Sequence, residues 1–218
     1  MARKFKKSKV SICVFCEGES EQAYTDLLKS KFCDVAVIKR PSSPGLFDDA
    51  DNRFKKDPGY RNYVDAIDEI WFFFDVEEKD IGNWTNRLEI IKRLRKLSKD
   101  PKIRVRLLMT TGCIEYWLML HYRHLAPSLL TVPDKERMLA QVVNMEPTYR
   151  KGNYDATARI AQNYPTAVKN ATIVLQNLLQ EGMPGLEDTD ERNRWLCTKC
   201  KTFSTVQEAI VFLEGLQS

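Results

Sequence analysis

The sequence predicts an α/β fold, a mainly parallel sheet flanked by helices and followed by a helical C-terminal extension. Three observations carry this reading. The first half alternates short apolar runs with stretches of helical spacing, which is the pattern of βαβ units. One of those runs, Ile70-Trp71-Phe72-Phe73-Phe74, is apolar at every position, as an interior strand covered on both faces must be. From about residue 134 to 215 the pattern is mostly helical, with an interruption at Met183-Pro184-Gly185.

Taken in order, Val10 to Cys16 reads as the first strand and Glu19 to Phe32 as a helix, with Ala23, Tyr24, Leu27, Leu28 and Phe32 near one face. Glu17-Gly18 is then a strand-to-helix turn. Val35 to Ile38 is a second strand. From Arg40 to Tyr63 the punctuation by Pro41, Pro44, Gly45, Pro58 and Gly59 predicts a long loop holding at most a short helix. After the strand at Ile70–Phe74 come a helix over Trp84–Ser98, a strand over Ile103–Met109 and an apolar helix from Ile114 to about His124. With 218 residues the chain suits one compact unit, divided as a basic arm (1–9), an α/β domain (10–130) and a helical extension packed on it (131–218).

Composition excludes several classes. No apolar run approaches the roughly 20 residues that span a bilayer. The basic start is followed directly by a strand, without a signal-peptide hydrophobic region, so a soluble cytoplasmic protein without membrane contact is expected. Six cysteines in such a chain do not form a disulfide scaffold. Cys13 and Cys16 are a CxxC pair on a strand, where residues three apart face opposite sides, so buried thiols are expected rather than zinc ligands. Cys197 and Cys200 sit in more polar surroundings, which weighs less against a metal. The net charge is +4, and the first nine residues carry Arg3, Lys4, Lys6, Lys7 and Lys9. Such an arm suits a phosphate backbone, although a solvated tail accounts for it as well. Lys92, Arg93, Arg95, Lys96 and Lys99 form a second basic group on a predicted helix.

In open parallel sheets functional groups gather beyond the carboxyl ends of strands. Two acidic clusters sit at such ends: Glu17 with Glu19 and Glu21 after the first strand, and Asp75, Glu77, Glu78 and Asp80 after the apolar one. If those strands are neighbours, three or more carboxylates meet, and their repulsion is relieved by a hard divalent cation such as Mg²⁺ (or Mn²⁺), which prefers oxygen ligands. The competing account is exposed loop acids and helix-dipole partners.

Cys16-Glu17-Gly18-Glu19-Ser20-Glu21, between a strand and a helix, resembles the first motif of Toprim domains, whose strand-end glutamate serves in catalysis. Phe74-Asp75-Val76-Glu77 resembles their second motif, usually an Asp-x-Asp that binds metal, here with Glu77 in the second place. Gly112-Cys113-Ile114-Glu115-Tyr116-Trp117-Leu118-Met119-Leu120-His121-Tyr122 is similar to a Phe-Glu-x-Trp-Leu-Leu-His-Phe segment of RloB-like proteins. The similarity continues weakly at Tyr149–Gly152 and Thr202–Val206.

The resemblance implies a Toprim-like fold and metal-dependent nuclease activity on nucleic acid in bacterial phage defence. Glu17 is then a metal-proximal carboxylate and general base, Asp75 and Glu77 are the main Mg²⁺ ligands, and Glu21 adds a ligand or a supporting bond one helical turn on. Glu78 and Asp80 are substitute ligands. Glu115 and His121, polar groups on an apolar helix, are either catalytic or partners for buried polar groups. Lys151 is a candidate phosphate clamp. The other readings are a Toprim nucleotidyl or phosphoryl transferase, and a non-catalytic sensor that signals to a partner ATPase. DNA or RNA, one metal or two, and the oligomeric state are not readable from the sequence.

Overall fold

The structure, a computed structural model, describes residues 9–98, 101–199 and 201–217, apart from the side chains of Lys79 and Asp80. Residues 1–8 of the basic arm, Lys99, Cys200 and the Asp80 carboxylate therefore lie outside the described residues.

The described chain runs β1 (Val10–Cys16), α1 (Glu19–Lys31), β2 (Ala36–Lys39), α2 (Phe47–Lys56), α3 (Pro58–Arg61), β3 (Glu69–Val76), α4 (Trp84–Leu94), β4 (Arg104–Thr111) and α5 (Ile114–Leu120). It continues through α6 (Val132–Met145), α7 (Tyr154–Ala161), α8 (Tyr164–Gln180), α9 (Asp190–Thr198) and α10 (Gln207–Gln217). The strands form one sheet in the order β2-β1-β3-β4, every pair parallel. The chain steps from β1 to one side for β2 and returns to the other side for β3, so the direction of winding reverses between β1 and β3. A crevice opens at such a switch point, outside the carboxyl ends of the two strands.

Alternation across the sheet divides the core. Val14, Cys16, Trp71 and Phe73 face Tyr24 of α1, Trp117 of α5 and the apolar sides of α6, α7, α8 and α10. Phe15, Phe72 and Phe74 face Phe47 and Phe54 of α2 and Ile90 and Ile91 of α4. Because β3 is buried on both faces, its sequence shows no alternation. No helix among the described residues is long and apolar enough to cross a membrane.

The stretch expected as a long loop is instead folded. Phe47, Ala50 and Phe54 form one buried stripe on α2, and the Phe47 ring stacks on Phe72 at 4.1 Å. The prolines and glycines that suggested a loop sit at its boundaries: Pro58 opens α3, and Gly45 donates from its N–H to Cys16 O at 2.8 Å. The helix from Ile114 ends at Leu120, and β3 and β4 each run two residues beyond the predicted ends, to Val76 and Thr111.

Helices after residue 131 pack on the sheet's own helices, α6 and α8 on α5, α7 on α1 and α9 on α4. The segment before α10 also completes the edge of β4. Thr205 N–H donates to Met109 O and Thr111 N–H to Phe203 O, at 2.8 and 3.0 Å, and Ser204 bridges Thr110 in antiparallel fashion. Thr205 Oγ1 accepts from Met109 N–H and donates to Leu107 O, both at 2.8 Å. A hydroxyl thus stands in for a missing strand at a fully buried position. Thr205→Val keeps the shape and strands both β4 groups, and should destabilise the fold by about 2–4 kcal/mol in denaturant titration, at two buried polar groups left without partners.

Candidate functional site

Glu17 is the first residue past β1. Its N–H still continues the ladder, donating to Phe73 O at 3.0 Å, and its side chain turns toward β3, where Oε2 accepts from Asp75 N–H at 2.9 Å. Two acidic strand ends are thereby joined at the switch point. Gly18 is the N-cap of α1, and a Cβ there would stand 3.0 Å from Glu21 Oε2. The bare backbone leaves room for the Glu21 carboxylate to fold under the turn. Glu21 is buried, and desolvation together with the charges of Glu17 and Glu115 pushes its carboxyl up to about 7.

Asp75 is the penultimate residue of β3. Its Oδ1 is buried and has no hydrogen-bond partner. Desolvation, followed by the charges of Glu21, Glu17, Glu115 and Glu77, holds the carboxyl well above the usual aspartate range. Glu77, one residue beyond the strand, is ion-paired with Lys135 of α6. Glu115, in the first turn of α5, is almost fully buried and accepts from the Tyr149 hydroxyl at 3.1 Å. Asp75, Glu77 and Glu115 line a cavity of about 270 Å³ with Lys135 and Lys151.

The turns that bring these groups together need glycine. Gly112, between β4 and α5, has φ +74°, and a Cβ there would lie 2.6 Å from Leu129 O. Gly152, φ +76°, passes so close to Glu19 that a Cβ would stand 3.0 Å from the Glu19 Cβ. Its N–H donates to Ser20 Oγ at 3.2 Å, which fastens the Lys151 loop to the first turn of α1.

The structure thus gathers Glu17, Glu21, Asp75, Glu77, Glu115 and Lys151 around one crevice. His121 is placed elsewhere. Its ring is fully buried, Nδ1 donates to Trp117 O at 3.0 Å, and Nε2 accepts from the Tyr24 hydroxyl at 3.3 Å. Burial pushes its pKa down to about 4, and the sealed, neutral ring is part of the core. Of the two readings left open for it, the buried partner is the one the geometry gives. Cys13 and Cys16 lie on opposite faces of the sheet as buried free thiols, both pushed up to about 12 by desolvation. Cys197 packs its thiol against the Met109 sulfur. Glu78 is exposed on the turn after β3.

Lys135 carries no sequence signal of its own, and Tyr149 stands only at the start of a weakly similar segment. Each reaches the site from more than 30 residues away along the chain, Lys135 on α6, which packs on α5, and Tyr149 just after it.

The donor set is entirely oxygen, which fits a hard divalent cation, and the buried, unpartnered Asp75 Oδ1 is an acceptor that the protein leaves unsatisfied. The side chains do not form a ready-made cage: among the described residues no three His, Cys, Asp or Glu groups are already arranged to hold a metal ion. Glu17 leans on an amide, Glu77 on an ammonium and Glu115 on a phenol.

The family model of RloB-like proteins matches residues 12–210. The chain belongs to the RloB-like family. That match begins on β1 and ends within α10, so the family signal covers the sheet, the acidic crevice and the C-terminal helices together. No curated protein matches the chain.

The acidic crevice has a signature in pH. The Glu21 carboxyl is raised from about 4.5 to about 7, so the folded state holds the extra proton between those values. Its cost to stability is therefore absent below about pH 4.5, grows as pH rises and is complete above about 7. Glu21→Gln should raise the melting temperature at pH 8, by up to about 3 kcal/mol in stability, and leave it nearly unchanged at pH 4.5. Melts across that range check the sign.

Proposed function

We infer that this RloB-like chain is a Toprim-type, metal-dependent phosphodiester hydrolase acting on nucleic acid, with a role in bacterial phage defence. The observation that carries the reading is the buried, unpartnered Asp75 Oδ1, surrounded by four further carboxylates at the mouth of the β1–β3 crevice. A stable fold gains nothing from burying such charge without a partner, so the arrangement makes sense where a cation completes it. Family membership and the ordered motifs add support.

In this reading Asp75 and Glu17 would hold the ion, with Glu77 as a further ligand once freed from Lys135. Bound Mg²⁺ or Mn²⁺ supplies Lewis acidity toward a phosphate oxygen. The chain's own groups do the rest. Glu17 takes the proton of the attacking water at its carboxylate. Glu21, protonated over part of the neutral range, lowers the charge of the cluster before a cation arrives. Lys135 Nζ, released from Glu77, and the exposed Lys151 bind phosphate oxygens from the two sides of the cavity. Glu115, tied to Tyr149, sets the back wall. The products are a phosphomonoester and a free hydroxyl.

Asp75→Ala separates this from a site that holds acids only for structure. Without divalent ions the variant should melt at or above the wild-type temperature, because it removes a buried carboxylate from a repulsive cluster. With Mg²⁺ or Mn²⁺ the wild type should gain, by roughly 2.7 kcal/mol at a concentration 100 times the dissociation constant, and the variant should not. Equal shifts in both proteins would take Asp75 out of the metal site and favour the sensor reading.

A further inference from the structure

A cavity several times the size of the acidic one lies elsewhere on the sheet. A groove of about 1270 Å³ runs along the open edge of the sheet, over β2 and between α1 and the α3 region. It exceeds the roughly 300–1,000 Å³ of small-molecule pockets. Lys29, Lys39 and Arg40 line it against one carboxylate, Asp26, which is held by a bidentate pair with Arg40 at 2.6 and 3.0 Å. Tyr60, Tyr63 and Tyr154 supply aromatic surface, with Tyr154 well exposed. Lys39 Nζ stands 3.7 Å from the Tyr63 ring centre, which keeps its charge at the groove wall. Lys29 and Lys39 are both exposed.

The groove's two ends are chemically distinct. At one end the β1 entrance brings in Lys9, whose Nζ donates to Cys33 O at 2.6 Å, directly after Arg3, Lys4, Lys6 and Lys7 in sequence. Cys33 itself lines the groove. At the other end Arg40 leads into the loop that is fastened to the acidic crevice, by Gly45 N–H on Cys16 O and by Gln22 Nε2 on Ser42 O at 3.3 Å. Because β2 and β1 are parallel, the groove along β2 runs from its basic entrance toward the edge that carries Glu17 and ends at Arg40.

We propose that this groove is the track for a single strand of nucleic acid, which enters past the basic arm, lies along β2 and delivers its backbone to the carboxylate site. Cations spaced along a groove with interleaved aromatic rings are the recognition chemistry of an unpaired strand, in which phosphates meet charge and bases meet rings. A free peptide pairing with the β2 edge would draw nothing from Lys29 and Lys39. The proposal deepens the nuclease reading by naming the form of its substrate, and it is tested without catalysis so that the two can fail separately.

Binding of a fluorescent 20-nucleotide single strand is measured by anisotropy with EDTA present, over a range of salt, for the full chain. Lys29→Ala/Lys39→Ala should weaken binding at least tenfold and reduce the salt slope by about 1.4, the loss of two phosphate contacts on a single strand. The charge-matched control Lys92→Ala/Lys96→Ala, on and just after α4 and outside the groove lining, should bind like wild type. Tyr154→Ala should weaken binding without altering the salt slope. Equal loss in the groove and control variants, or none in either, would overturn the groove and leave the nuclease reading standing. A wild type that binds no strand, but whose self-association in sedimentation is abolished by Val37→Lys, would make this edge an interface between copies and overturn the proposal. Binding that follows the groove variants in a protein showing no metal-dependent cleavage would keep the track and remove the hydrolase.

Discussion

The fold is organised around one unfavourable interaction, the mutual repulsion of carboxylates at the crevice between β1 and β3. The backbone creates it. Parallel pairing of β1 and β3 carries both acidic strand ends to the same edge, and Gly18 lets α1 bring Glu21 in beneath them. Three of the other acids are given something to lean on: Asp75 N–H for Glu17, Lys135 for Glu77, Tyr149 for Glu115. Asp75 Oδ1, buried among these carboxylates, is left with none.

The opposite end of the same sheet shows that the protein can neutralise a buried acid when function does not forbid it. Glu69, at the start of β3, receives Arg106 at 3.1 and 3.2 Å and the Trp71 indole N–H at 2.6 Å, and the Phe212 ring covers the guanidinium at 4.7 Å. Every ingredient of a satisfied buried pair is present there. Arg192 is likewise buried against Glu208, Asp188 and Asn193, although its Nε is left without a partner. The same chain that closes the Glu69 network leaves the carboxyl end of the sheet acidic, and buried, unpartnered acids of that kind concentrate at functional sites.

What the sequence made legible follows from how far each signal reaches. β1, α1 and β3 were readable because strand period, helix period and the Glu17 and Asp75 strand ends are local patterns. Placing those ends together needed only the right neighbour relation, which the parallel fold supplies. α2 was hidden because Pro41, Pro44, Gly45 and Pro58 surround a stripe of three apolar residues, and the punctuation outweighed the period. Lys135 carried no signal, and Tyr149 and Thr205 stood only inside weakly similar segments, with nothing to show what they do. Their roles exist only through contacts with Glu77, Glu115 and β4, made across 34 to 98 residues of chain. His121 shows the opposite limit, since a histidine on an apolar helix fits two readings in sequence and only its burial, with both ring nitrogens bonded within the core, separates them.

Charge is also divided between the two halves of the chain in a way that bears on activity. Up to α5 the charged groups described at the crevice are all acidic, Glu17, Glu21, Asp75, Glu77 and Glu115. From residue 132 onward come the cations facing it, Lys135 and Lys151, one further acid, Glu136, and the phenol that holds Glu115. The same later segment supplies Thr205, which pairs β4, and Gly152, which docks on Ser20. The α/β half therefore has neither a closed sheet edge nor a neutralised crevice without the helices that follow. Every cation described at the crevice comes from the helical extension, so under the proposed reading the approach of a phosphodiester to these acids depends on the extension as well as on a bound cation.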